Sequence, residues 1–132
     1  KVKNYMDETK LSAKKMGYVE TVFGRRLYLA DIESSNYQRR QYAERSAINA
    51  PMQGTAADLI KMAMIHLHQK IREESFDAKI IMQVHDELVI EVNERQSDEL
   101  SELTISIMSE ISKLDVDLKV DADIGNNWDE AH

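Results

Sequence analysis

Apolar and polar positions alternate along this chain in two distinct rhythms. Residues 4–16 carry a helical pattern that stops at Gly17, a good residue for the left-handed end of a helix. The run YVETVFGRRLYLADI then switches to strand-forming types. Tyr18, Val19, Val22, Leu27, Tyr28 and Leu29 favour extended backbone, and Gly24 marks a turn, so a hairpin is expected. Ser34, Ser35 and Asn36 punctuate the chain before a polar helix over residues 37–48.

Pro51, the single proline, lacks an N–H and disfavours helix at Ala50, which predicts a break or kink. A long helix is expected to restart at Gln53 or Thr55 and run to Glu74. Its apolar stripe is Ala56, Ile60, Ala63, Leu67 and Ile71, with Thr55 and Asp58 resembling a capping box. Residues 79–84 and 88–92 are β-rich and flank the charged triplet His85-Asp86-Glu87, which predicts strand, tight turn and strand, deep in a sheet.

Ser97 is a candidate N-cap for a further helix with stripe Leu100, Leu103, Ile107, Ile111 and Leu114. Residues 118–124 alternate Leu118, Val120, Ala122 and Ile124 with Lys119, Asp121 and Asp123, as a half-exposed strand would. Gly125, Asn126 and Asn127 end it, and Trp128 is placed to anchor the tail. The sum is an α+β domain, an antiparallel sheet with helices packed on one face.

Composition narrows the class. The chain has 132 residues, 42% hydrophobic and 31% charged, which suits one globular domain. No apolar stretch approaches the roughly 20 residues of a membrane helix. There is no cysteine, which removes disulfides and thiolate zinc sites and fits a reducing compartment. The chain opens on Lys1, as a piece of something longer would. Net charge is −7, unevenly spread: residues 1–50 hold ten Lys/Arg against six Asp/Glu, and residues 51–132 hold seven against eighteen. Overall acidity argues against a free-standing nucleic-acid binder, while the basic first part can face a polyanion.

Two constellations carry chemistry. Taken alone, His85-Asp86-Glu87 is a normal charged hairpin tip. Its strongly apolar flanks and adjacent, mutually repelling carboxylates suit a hard cation instead, and Mg²⁺ is usually held by one or two carboxylates plus substrate phosphates. Zinc suits it less: His85 and Asp86 lack further ligands at workable spacing, and His66 and His68 face different directions on their helix. Arg45, Asn49 and Gln53 recur every four residues. A solvated helix face explains the spacing, but Arg suits phosphate and the two amides suit base edges. Arg25, Arg26, Arg39 and Arg40 are either solvated or phosphate contacts.

The stretches GYVETVFGRRLYLADI, AERSAINAPMQGTAADLIK, IIMQVHDELVIEV and NNWDEAH resemble, in order, the C-terminal part of family A DNA polymerases of the bacterial DNA polymerase I type. The resemblance implies the palm with adjoining helices. It makes Asp86 one of two catalytic aspartates that hold Mg²⁺ in a two-metal phosphoryl transfer, with Glu87 supporting that site and His85 near the primer terminus. It places Arg45, Asn49 and Gln53 against primer–template DNA, with the amides in the minor groove; Arg25 and Arg26 join the expected DNA contacts on residue type alone. The implied partners are primer–template DNA, deoxynucleoside triphosphate (dNTP) and the remainder of the polymerase chain, with no membrane, in a cytoplasmic, nucleoid-associated setting. The family's other catalytic aspartate lies upstream, typically in DYSQIELR, and nothing here matches that motif or the fingers helix. The chain alone is therefore expected to be inactive. A non-catalytic DNA-binding module and a metal-dependent hydrolase are the rival readings.

Overall fold

The computed structural model describes residues 1–111 and 119–131. They divide into two compact units, Lys1–Asp58 and Leu59–His132.

In the first unit α1 (Val2–Met16) ends as its composition predicts. Gly17 adopts φ 78, and its N–H bonds the Ala13 carbonyl. Strands β1 (Tyr18–Glu20) and β2 (Arg26–Tyr28) form an antiparallel hairpin with Val19 opposite Leu27. Helix α2 (Tyr37–Glu73) starts at Asn36, whose Oδ1 accepts from the N–H groups of Gln38 and Arg39 at 3.0 and 3.3 Å. Ala13, Val19, Leu29, Ile32, Ala43 and Ala47 make the core of this unit, with Ala50 packed against it. Small residues on α2 let the hairpin and α1 approach closely.

The expected break at Pro51 does not occur, and α2 runs through it as one helix of 37 residues. A proline in a helix interior costs about 3 kcal/mol, partly through the hydrogen bond it cannot donate to residue i−4. Burial of Ala43 and Ala47 before the proline and of Thr55 and Ile60 after it offsets that cost. The capping box at Thr55 and Asp58 consequently dissolves. Thr55 lies in mid-helix and its hydroxyl donates back to the Pro51 carbonyl at 2.6 Å. Of the expected stripe, Ile60, Ala63, Leu67 and Ile71 are buried, whereas Ala56 is exposed.

In the second unit α2 ends in a left-handed turn. Ser75 takes φ 54, and the Phe76 N–H bonds the Ile71 carbonyl at 3.0 Å. Strands β3 (Ala78–Val84) and β4 (Glu87–Val92) pair antiparallel, with Ala78 opposite Val92 and Ile80 opposite Ile90. These four residues pack with Leu67, Ile71 and Phe76, and with Leu100 and Ile107 of α3 (Ser97–Ile111). Helices therefore cover one face of the hairpin, and the α+β class holds with its antiparallel strands divided between two hairpins.

Other boundaries shift. Ser97 does not cap α3. The cap is Asn93, which opens the 3-10 turn Glu94–Gln96 and accepts from the Arg95 N–H, and the helix continues from that turn. Leu114 and Leu118 lie outside the described residues. Residues 119–124 form no strand, because no neighbouring strand pairs with them among the described residues. Trp128 opens the short α4 (Trp128–Ala131) and stays 45% exposed.

Candidate functional site

The second unit presents the charged triplet on a tighter support than its sequence suggests. Val84 pairs with Glu87, so Glu87 belongs to β4 and only His85 and Asp86 make the turn. A two-residue hairpin requires positive φ at its first central position, normally glycine. His85 takes that place with φ 54, a conformation in which histidine is uncommon though tolerated. The strain is held by the ladder on either side, and the Gln83 amide reaches the His85 carbonyl at 3.5 Å.

A register shift lies between Ile80 and Met82, so Ile81 is the extra residue of a bulge. Below it, Ile80 and Ile90 face the helices. Alternation along β4 then puts Glu87, Val89 and Glu91 on the opposite face. Ile81 and Met82 are 56% and 36% exposed, so within this chain the hairpin is not deep in a sheet. The reason is that β3 and β4 have only each other as neighbours among the described residues.

Asp86 and Glu87 are exposed, and no described side chain donates to the Asp86 carboxylate. Among the described residues no three acidic or histidine side chains converge on a metal position. Asp86 fits one role in such a site, a hard oxygen ligand whose companions come from phosphate or from other chain segments.

The first unit carries the other constellation. Because α2 is continuous, Arg45, Asn49 and Gln53 fall on one stripe of one helix, drifting about 40° per step. All three are exposed, while Ala43 and Ala47 on the opposite side are buried. Beside Gln53 a cleft of about 250 Å³ opens between α2 and the β1–β2 hairpin, lined in part by Glu20, Arg26, Ala50 and Pro51.

Arg25 and Arg26 are not free cations. Arg25 donates from Nε to Asp58 at 2.8 Å and from Nη2 to the Gly54 carbonyl at 3.3 Å. Arg26 donates to Glu20 at 2.9 Å and lies 4.3 Å from the centre of the Tyr18 ring. Hydrogen bonding by Tyr28, then by Glu20, raises its pKa above the ordinary arginine value, so it stays charged. Arg40 donates to the Ser34 carbonyl at 3.3 Å.

Thr21, Gly54, Thr55 and Asp58 form a seam that the sequence reading missed. Thr21 Oγ1 accepts from the N–H groups of Phe23 and Arg25, and Thr55 Oγ1 accepts from the Val22 N–H at 3.0 Å. A Cβ on Gly54 would stand 2.7 Å from Thr21 Cγ2, so only glycine admits the loop this close. One signal was available: a glycine inside a helical pattern usually has a packing reason.

The sequence model of DNA polymerase family A matches residues 1–130. The chain belongs to DNA polymerase family A. It is 52% identical over 128 residues to DNA polymerase I of Pseudomonas aeruginosa, covering 97% of this chain and 14% of that protein. It is 46% identical over 130 residues to DNA polymerase I of Geobacillus stearothermophilus, covering 98% of this chain and 15% of that protein. Among solved structures it is similar to the POL domain of Pol1 from M. smegmatis in complex with DNA primer-template and dNTP. That match has 46% identity and a TM-score of 0.94, covering 98% of this chain and 23% of the other. The chain thus spans a small part of these family A polymerases. Among its described residues no helix is long and apolar enough to cross a membrane.

Proposed function

We propose that this chain is the C-terminal, palm-containing part of a DNA-directed DNA polymerase acting in replication or repair. Its parent adds deoxynucleotides to a primer 3′ end under the direction of a template, with Mg²⁺. The observation that carries the proposal is the β3–β4 turn. It presents Asp86 at the exposed tip of a strained two-residue hairpin, in a chain with the fold of a polymerase domain solved with DNA and dNTP.

Each residue has a task in this reading. Asp86 is a ligand for Mg²⁺, which when bound neutralises developing phosphate charge and favours deprotonation of the attacking hydroxyl. The second aspartate comes from another segment of the polymerase chain. Glu87, on the face of β4 away from the helices, supports the cation site with its negative charge rather than carrying it. His85 stands beside Asp86 and is placed near the primer end. Arg45 is the phosphate contact on α2, whereas Arg25 and Arg26 already meet the carboxylates of Asp58 and Glu20 and contribute less to DNA attraction. The Asn49 and Gln53 amides point to the minor groove, where acceptors of A·T and G·C pairs occupy similar positions, so pair shape is checked without reading sequence.

Primer extension by the full-length polymerase and its Asp86→Asn variant tests the assignment. The variant keeps its fold and loses about 10²-fold or more in rate, as expected for a preorganised charge-stabilising group. Glu87→Gln loses less. Normal extension by Asp86→Asn would remove Asp86 from the catalytic site and leave a DNA-binding role alone.

A further inference from the structure

We infer that the β1–β2 loop is a positioning element for the minor-groove amides, acting on α2 through Arg25, Asp58 and Thr55. The inference rests on the polymerase reading above and adds to it the control of Gln53 and Asn49.

Between Ala50 and Asp58, α2 carries Pro51 and Gly54, the two residue types least able to hold a helix by themselves. The loop grips this part of the helix through three side-chain hydrogen bonds. The Val22 N–H donates to Thr55 Oγ1, and that hydroxyl donates to the Pro51 carbonyl. Arg25 bridges the Gly54 carbonyl and the Asp58 carboxylate with one planar guanidinium. The loop itself is braced from within, because Thr21 Oγ1 accepts from both Phe23 N–H and Arg25 N–H. Thr21 is 8% exposed.

Gln53 is next in sequence to Gly54, and Asn49 is one turn earlier on the same stripe. Groups that check pair geometry must be held within about 0.5 Å by rigid neighbours. The helix is weakest where these amides are displayed, and the loop supplies the missing restraint. Arg25, Asp58 and Thr55 are thus positioning residues that act without touching the DNA. Their chemistry explains a fork-shaped donor at Arg25, since a lysine's single ammonium does not reproduce two planar contacts.

The test uses the full-length polymerase and measures extension from matched and mismatched primer ends, with amide exchange over residues 52–58. Asp58→Asn is expected to accelerate exchange in that segment and to shift the matched-to-mismatched ratio about threefold or more. In a Gln53→Ala, Asn49→Ala background the same substitution shifts the ratio less than about twofold, because the groups it positions are gone. Arg25→Lys and Thr55→Val follow the same pattern, and they keep the test decisive if Asp58→Asn does not fold. Arg25→Ala flattens the salt dependence of DNA affinity by well under one unit of log–log slope.

Additive effects in the combined variants overturn the inference, as does faster exchange with an unaltered ratio. A salt slope flattened by about one unit in Arg25→Ala makes Arg25 a direct phosphate contact and overturns it too. A wild-type protein that extends no primer refutes the polymerase reading and this role with it. Exchange over residues 52–58 reads the loop's grip independently of activity, so the two failures are distinguishable.

Discussion

Gly54→Ala tests the close approach of loop and helix most directly. In an open helix interior the change stabilises by about 0.8–1 kcal/mol. Here the new Cβ would stand 2.7 Å from Thr21 Cγ2 and 3.2 Å from Arg25 Nη2. The arginine tip can swing aside, but the threonine cannot do so freely. Turning it withdraws Oγ1 from the Phe23 and Arg25 N–H groups, both at 3.2 Å. Two such bonds are worth about 1–3 kcal/mol together, similar to the usual cost of overpacking. Shifting the loop instead strains the Val22–Thr55 bond. The net expectation is destabilisation of α2 by about 1–2 kcal/mol, read as roughly tenfold faster amide exchange near residues 54–60. Thr21→Ser removes the offending methyl and keeps the hydroxyl. In that background Gly54→Ala should be neutral or stabilising by up to about 1 kcal/mol. A stabilised Gly54→Ala single variant, or a cost unchanged beside Ser at position 21, would refute the packing account.

Three further outcomes are expected. Ser75→Gly should stabilise the second unit by about 0.5–1 kcal/mol, because Ser75 holds φ 54 at the end of α2 and glycine adopts it without strain; denaturant unfolding followed through α3 would show it. Arg45→Ala in the full-length polymerase should weaken primer–template binding and flatten its log–log salt dependence by about one unit, whereas Asn49→Ala and Gln53→Ala should leave the slope nearly unchanged. The purified 132-residue chain should extend no primer, since Asp86 by itself supplies one carboxylate of a two-metal site; template-dependent incorporation by it would contradict a site shared with other segments.

Local patterns alone determined much of this protein. The αL end at Gly17, the stripe Ile60–Ala63–Leu67–Ile71, the pairing of the two β-rich runs around His85 and Asp86, and the α+β class all follow from short-range periodicity and turn chemistry, and the order of the four family motifs pointed to a polymerase. The remainder depended on energies that no window of sequence contains. Pro51 signals a helix break, yet α2 continues because Ala47, Thr55 and Ile60 are buried on either side and a distant loop supplies hydrogen bonds. That continuity is what puts Arg45, Asn49 and Gln53 on a single stripe. Pairing register, not residue type, gave Glu87 to β4 and left His85 in a strained turn. Residues 119–124 have the alternation of a strand but lack a neighbour among the described residues, and a strand exists only where its backbone N–H and C=O groups find partners on another strand.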